Sequence, residues 1–114
     1  MLQMAVAPNP ADRRRCPRFR YSLQMRIRCA AGSEMPAMSL EINETGMSAA
    51  TGGALKIGET VEIEPVAGCK MQAIVRYNDG KIYGFEFFEL SEDHVLQIRK
   101  TCKNLPLYFT TLSI

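Results

Sequence analysis

Short segments in which apolar and polar residues alternate one by one recur along the chain, and they leave few folds open. A period of two is the pattern of a β-strand with one buried face. The alternation predicts strands at five places: 22–29, 37–43, 60–66, 69–77 and 81–88. Between the last two, the sequence Asn-Asp-Gly at 78–80 predicts a tight hairpin turn, because Asp-Gly suits the positive φ values of a primed turn.

The segment 90–105 changes to a helical period. Apolar residues recur there at helical spacing and predict one face that packs on the sheet: Val95, Ile98, Cys102 and Leu105. Ser91 is the expected N-cap. Antiparallel strands at this density close most easily as a small barrel, which removes exposed strand edges. The sequence therefore predicts an all-β fold with one C-terminal helix, built as an antiparallel β-barrel of about six strands.

The segment 37–43 carries polar residues on one face of its predicted strand. Met38, Leu40 and Ile42 are expected to point inward, and Ser39, Glu41 and Asn43 outward. Glu41 and Asn43 would then share an exposed face, about 7 Å apart along the strand. Gly46 follows at a turn that a Cβ could block. Gly84, inside the last predicted strand, suggests a bulge or a sharp coil of that strand.

Charge is distributed unevenly along the chain. Residues 1–28 contain seven arginines and one acid, which gives +6, whereas residues 29–114 contain seven basic and eleven acidic residues, which gives −4. Five of the arginines occur in the stretch DRRRCPRFR at 12–20. Because positive charge is confined to one segment, no nucleic acid polymer is expected as a partner.

At 114 residues, one domain is expected. We place it at 12–105, after a flexible lead-in at 1–11 and before an apolar tail at 106–114. No signal peptide or membrane span is apparent, which predicts a cytoplasmic protein with reduced thiols. The four cysteines and single histidine do not have the spacing of a zinc site. We predict no enzyme activity and no cofactor, because no catalytic or phosphate-loop motif is present.

Three stretches in order resemble the PilZ family, the bacterial receptor module for cyclic di-GMP. RRRCPR contains the family's RxxxR at Arg14 and Arg18, and EINETG occupies the place of its [D/N]xSxxG. LKIGETVEIE and AIVRYNDGKIYGFEFFELSED are similar to the family's strand, hairpin and following helix. The resemblance covers about residues 12 to 104 and implies a six-stranded PilZ-type barrel that binds cyclic di-GMP.

The resemblance implies that the arginines bind the phosphates and the bases of the ligand. A guanidinium presents a rigid fork of donors that can bond a phosphate or a guanine edge, or stack on the ring. Arg14 and Arg18 match the family's positions. Arg13 and Arg15 would assist them in binding the ligand, or would take their place if the register of the motif is shifted by one residue. We expect this segment to be mobile when free and to close over the bound nucleotide.

The second motif would receive the base. Glu41 and Asn43 retain acceptor chemistry for the N1–H and N2–H of guanine, and Gly46 would hold the turn that lets the backbone approach the ligand. Both side chains depart from the family's pattern, with Glu for Asp or Asn and Asn for Ser. An alternative therefore stays open: a degenerate PilZ adaptor that does not bind nucleotide and acts by protein–protein contacts.

The sequence leaves the assembly open. A downstream protein partner is expected in either case, but its identity is not encoded in any recognisable motif. The number of bound nucleotides, one or an intercalated pair, is equally open. The apolar tail makes a homodimer conceivable.

Overall fold

The computed structural model describes residues 18–106. The expected lead-in, Arg13, Arg14 and Arg15 therefore lie outside the described residues, as does the tail from residue 107 onward.

Seven strands and one helix make up this part of the chain. They are β1 (Phe19–Arg20), β2 (Gln24–Cys29), β3 (Glu34–Ile42), β4 (Gly46–Thr51), β5 (Thr60–Val66), β6 (Cys69–Asp79), β7 (Ile82–Phe88) and α1 (Glu92–Lys103). Each of the five alternating segments overlaps one of these strands. Alternation did not delimit β4, because three of its consecutive residues, at positions 47–49, are all buried.

The strands form one antiparallel sheet that closes on itself. The order β3-β2-β5-β6-β7-β4 is completed by pairing of β4 with β3, which gives a barrel of six strands. The two-residue strand β1 adds to β3, with Arg20 opposite Glu41. The prediction of a six-stranded antiparallel barrel with a C-terminal helix is confirmed.

The barrel is filled by apolar side chains, and helix α1 packs against it at β5 and β6. The helix buries Ile98 and Cys102, two of the four residues predicted for its inner face. Ser91 is the N-cap as predicted: its Oγ accepts from the backbone N–H of His94 at 3.1 Å, and Nδ1 of His94 accepts from the backbone N–H of Ser91 at 3.3 Å. This reciprocal pair is a capping box, which satisfies two otherwise unpaired donors.

Three register shifts interrupt the regular pairing, and one of them lies between Ile63 and Val66, where β5 pairs with β6. The other two are β-bulges in β3 and β6. The register of β3 against β4 shifts at Leu40, and the register of β6 against β7 shifts at Arg76. A bulge adds one residue to one strand and so reverses which later side chains point inward. The predicted orientation of 37–43 is therefore wrong before the bulge, where Met38 is exposed and Ser39 is fully buried, but correct for Ile42, which is buried.

The expected irregularity at Gly84 lies on the opposite strand. Gly84 pairs with Tyr77, the residue that directly follows the bulge in β6. The hairpin between β6 and β7 turns at Gly80 and Lys81 rather than at 78–80 as predicted, because Asn78 and Asp79 still pair with β7. Gly80 has a φ of 66°. Glycine tolerates this left-handed conformation without steric cost.

Ser39 fixes the segment that leads from β1 to β2. Its Oγ donates to the carbonyl oxygen of Tyr21 and accepts from the backbone N–H of Leu23 at 2.8 Å. The phenol of Tyr21 donates to the carbonyl oxygen of Pro65 in β5, and burial raises its pKa above the ordinary value. These bonds hold the described end of the arginine segment against β3.

Candidate functional site

A pocket of about 720 Å³ opens on the outer face of the barrel, where β3, β4, β7 and β6 lie side by side. This volume is within the range of small-molecule binding sites. The pocket wall includes the four expected site residues that the structure describes: Arg18, Glu41, Asn43 and Gly46. Residues of the two stretches that carry the motif resemblance therefore meet at one place, although they are separated in sequence.

One row of cross-strand partners runs through the pocket: Glu41, Ser48, Gly84 and Tyr77. The two bulges flank this row, one before Glu41 in β3 and one before Tyr77 in β6. In β6 the bulge leaves Arg76 and Tyr77 both exposed, although they are consecutive in sequence. Bulges are a common means of directing a side chain into a site.

Arg18 and Glu41 form an ion pair on the pocket wall. Nη1 of Arg18 lies 2.9 Å from Oε1 of Glu41 and 3.1 Å from Oε2. An N–H of Arg18 donates a hydrogen bond to Oε2. Oε1 lies close to the positive guanidinium but has no aligned hydrogen-bond donor among residues 18–106. The pair is largely withdrawn from solvent, with 25% of the arginine side chain and 13% of the glutamate side chain exposed. Screening by salt is weaker for such a pair than for an exposed one.

Asn43 is buried, which corrects its predicted place on an exposed strand face. Strand β3 ends at Ile42, and the Asn43 side chain turns into the following loop. Its Oδ1 accepts from the backbone N–H of Thr45 at 2.8 Å, from Oγ1 of Thr45 at 2.9 Å and from the backbone N–H of Gly46 at 3.0 Å. Asparagine often bonds its own chain in this way and stabilises a turn. The amide oxygen of Asn43 therefore already accepts three hydrogen bonds within the loop.

Gly46 is required by a close approach between two strands. A Cβ at this position would lie 2.1 Å from the carbonyl oxygen of Phe85 in β7. The residue does not have a positive φ. A Cβ is excluded here, as expected, but by the neighbouring strand rather than by the conformation of a turn.

Tyr77 is a pocket residue that the sequence did not reveal. The residue is 48% exposed, and its ring covers Gly84, where an added Cβ would lie 2.0 Å from the ring. An aromatic ring over a glycine on the adjacent strand is a known way to fill the space that glycine leaves. The signal in the sequence was the glycine itself, which suggested an irregularity but not the side chain that occupies it.

The charged side chains on the pocket wall are balanced. Arg76 pairs with Glu86 at 2.6 Å, beside the pair of Arg18 and Glu41. The described wall therefore contributes no net charge. A further ion pair joins the loop beside the pocket to the helix. Nε of Arg99 in α1 donates to Oε2 of Glu44 at 3.1 Å, and Glu44 lies in the loop that Asn43 shapes.

Between residues 18 and 106, no group of three or more His, Cys, Asp or Glu side chains is placed to hold a metal ion. Cys29, Cys69 and Cys102 are free thiols, and burial, with smaller contributions from Asp93 and Glu64, raises the pKa of Cys69. Over the same residues, no helix has the length and apolar character needed to cross a bilayer.

Comparison with known proteins identifies a family and similar solved structures. A family model described as PilZ domain matches residues 12–103. The PilZ domain of YcgR from Escherichia coli with c-di-GMP is similar to this chain at 19% identity and a TM-score of 0.61, covering 82% of this chain and 91% of that one. At such identity the likeness supports the fold.

Two longer solved structures are also similar. YcgR in complex with c-di-GMP from Escherichia coli matches at 17% identity and a TM-score of 0.63, over 79% of this chain and 44% of that one. The Bacillus subtilis inhibitor of motility MotI/DgrA matches at 20% identity and a TM-score of 0.62, over 84% of this chain and 54% of that one. The chain thus spans about half the length of these two proteins. No curated protein sequence matches it.

Proposed function

The chain belongs to the PilZ family, and on that premise we propose that it is a non-catalytic receptor for cyclic di-GMP. One observation carries the proposal: Arg18 and Glu41, which come from the family's two separate motifs, meet at 2.9 Å on the wall of one pocket. The pocket is large enough for a nucleotide base with its phosphate.

The ion pair explains how the pocket is prepared for a ligand. In the free protein, Glu41 holds the Arg18 guanidinium at the pocket wall. A ligand phosphate or guanine edge competes for that guanidinium and bonds it through two donors. Glu41 is then available to accept hydrogen bonds from the N1–H and N2–H of guanine. The ion pair opens, and Arg18 and Glu41 each bond the ligand instead of one another.

The balanced charge of the wall supports a role for the remaining arginines. Cyclic di-GMP carries two phosphates, and the described wall offers no net positive charge to meet them. Arg14 precedes Arg18 by four residues, a span of at most about 14 Å in an extended chain. Arg14, with Arg13 and Arg15 beside it, is therefore within reach of the pocket and supplies the missing charge when the segment closes over the nucleotide.

Tyr77 offers the base a stacking surface. Its ring is backed by Gly84 and half exposed toward the pocket. Stacking of a nucleobase on an aromatic ring contributes about 1–3 kcal/mol per base. A guanine between Tyr77 and an arginine would have contacts on both of its flat faces.

Calorimetric titration with cyclic di-GMP tests the proposal. Arg14→Ala and Arg18→Ala should each weaken binding by about 1–3 kcal/mol, or roughly 5- to 150-fold. Arg26→Ala is the matched control, because that arginine is on β2 and 68% of its side chain is exposed. It should leave the affinity unchanged. The same titration gives the number of nucleotides bound.

Absence of binding heat, together with an unchanged melting temperature in the presence of cyclic di-GMP, would overturn the proposal. That result would favour the alternative, an adaptor that acts through protein contacts. Closure of the arginine segment has its own test, which is hydrogen exchange. Protection of the amides of residues 10–20 should rise when ligand is added, and unchanged protection would contradict closure.

A further inference from the structure

Ser48 has a buried hydroxyl for which residues 18–106 provide no hydrogen-bond partner. The residue is 3% exposed and lines the pocket from β4. Met47 and Ala49, its neighbours in the strand, belong to the core, so Ser48 faces the opposite side. Most buried polar side chains are hydrogen-bonded, and a bond left unmade is unfavourable. An unpaired hydroxyl on a pocket wall indicates a bond that a ligand completes.

A carboxylate oxygen on the neighbouring strand is also buried without an aligned hydrogen-bond donor among residues 18–106. Oε1 of Glu41 is buried and has no aligned donor within the described chain, although Nη1 of Arg18 lies 2.9 Å away. Glu41 and Ser48 are cross-strand partners in the pairing of β3 with β4. Side chains in such a pair are near neighbours, with Cβ atoms about 4.5–5.5 Å apart. The Ser48 hydroxyl and the Glu41 carboxylate thus form one polar patch on the pocket wall.

We propose that Ser48, together with Glu41, recognises the guanine edge of the ligand, which rests on the function proposed above. Asn43 occupies the motif position where the family has serine, but its amide oxygen already accepts three hydrogen bonds in the loop. The hydroxyl that the motif lost is supplied by Ser48, two residues beyond Gly46.

The chemistry of the patch selects guanine. Guanine carries its N1–H and N2–H donors beside the O6 acceptor. A carboxylate accepts from the donors, and the Ser48 hydroxyl donates to O6. Adenine instead presents the N1 lone pair at the centre of that edge, which would face the Glu41 carboxylate. A site built to satisfy one hydrogen-bonding pattern disfavours a ligand with another, because buried groups are left unpaired.

Ser48→Ala separates recognition from stability. The variant should bind cyclic di-GMP about 3- to 10-fold more weakly. Its melting temperature without ligand should be unchanged or higher, because alanine removes an unpaired buried hydroxyl. Ser39→Ala is the matched control. Ser39 is also a buried serine, but its hydroxyl is bonded to Tyr21 and Leu23, so its loss should lower the melting temperature.

Each outcome of the titration decides a different question. If the unaltered protein does not bind cyclic di-GMP, the proposed function fails and the role of Ser48 fails with it. If the unaltered protein binds and Ser48→Ala binds equally well, only the role of Ser48 is overturned. A melting temperature lowered as far as in Ser39→Ala would show a structural role instead.

Cyclic di-AMP tests the base assignment on the unaltered protein. We expect it to bind more than about tenfold more weakly than cyclic di-GMP. Equal affinity for the two nucleotides would overturn the selection of guanine by Glu41 and Ser48.

Discussion

Arg18 and Glu41, 23 residues apart in the chain, share one ion pair in which Nη1 lies within 3.1 Å of both carboxylate oxygens. Glu41→Gln distinguishes two roles for this glutamate. If Glu41 receives the guanine base, the variant should bind cyclic di-GMP roughly 5- to 150-fold more weakly, because an amide has one acceptor oxygen and presents a competing donor.

If Glu41 only competes with the ligand for Arg18, removing its charge should instead tighten binding. The direction of the change, measured by calorimetry, decides between these roles. Glu34→Gln is the control, since that residue is also in β3 and paired with an arginine, but it lies on the exposed surface. It should not change the affinity.

Tyr77 is expected to act through its ring rather than its hydroxyl. Tyr77→Ala should weaken nucleotide binding by about 1–3 kcal/mol, the usual contribution of one stacked base. Tyr77→Phe should keep the affinity, because it retains the ring over Gly84. Equal losses in the two variants, measured by titration, would contradict stacking and point to the hydroxyl.

Asn43 is expected to stabilise the fold through the loop. Asn43→Ala removes the acceptor of three hydrogen bonds and should lower the free energy of unfolding by about 1–3 kcal/mol. Asn43→Asp keeps an oxygen at the same place and should remain closer to the unaltered protein. Urea denaturation measures both variants, and an alanine variant of undiminished stability would refute the role.

Gly46 is expected to tolerate no side chain. Gly46→Ala places a Cβ against the Phe85 carbonyl and should cost about 1–3 kcal/mol of stability, as other overpacked sites do. Gly52→Ala is the control, because a Cβ there would meet no atom within 4 Å. Thermal denaturation should show a clear loss for the first variant and little change for the second.

Tyr21 makes stability depend on pH in the alkaline range. Its pKa in the folded protein is raised above 10.0, chiefly by burial and to a smaller extent by Cys102. The folded state therefore keeps the proton at a pH where the unfolded chain has lost it. The resulting stability is fully present below pH 10.0 and is lost as the pH rises through the folded pKa.

Tyr21→Phe should lower stability at neutral pH by about 0.5–1.5 kcal/mol, because the hydrogen bond to Pro65 is lost. It should also lose less stability than the unaltered protein as the pH rises above about 10, since the titrating phenol is gone. Urea denaturation at several pH values measures both effects. Parallel pH profiles for the two proteins would contradict the assignment to Tyr21.

The sequence was sufficient for the architecture because its signals are local. Alternation, the hairpin turn and the Ser91 cap each depend on a few neighbouring residues. The cap was confirmed, each alternating segment overlaps a strand, and the hairpin is present but turns at Gly80 and Lys81, because Asp79 still pairs with Ile82. The orientation of Ser39 was predicted wrongly because the bulge at Leu40 depends on how β3 pairs with β4. No local pattern carries that information.

The candidate site was only partly accessible for the same reason. Arg18 and Glu41 were found through a resemblance and do lie together, whereas Asn43 was misplaced because its partners are in the loop that it shapes. Ser48 and Tyr77 were missed altogether. Each becomes notable only through a cross-strand neighbour, Glu41 for Ser48 and Gly84 for Tyr77.

The two bulges determine, through the register of their strands, which side chains reach the pocket. If β6 paired regularly with β7, Arg76 rather than Tyr77 would lie opposite Gly84, and the Tyr77 ring would turn toward the barrel interior, where it would have to displace core residues. Regular pairing of β3 with β4 would likewise set Leu40 opposite Ser48 and turn the Glu41 side chain inward. Recombination or loop grafting within this domain should therefore preserve the residue count between each bulge and its hairpin, even where the amino acids themselves are exchanged.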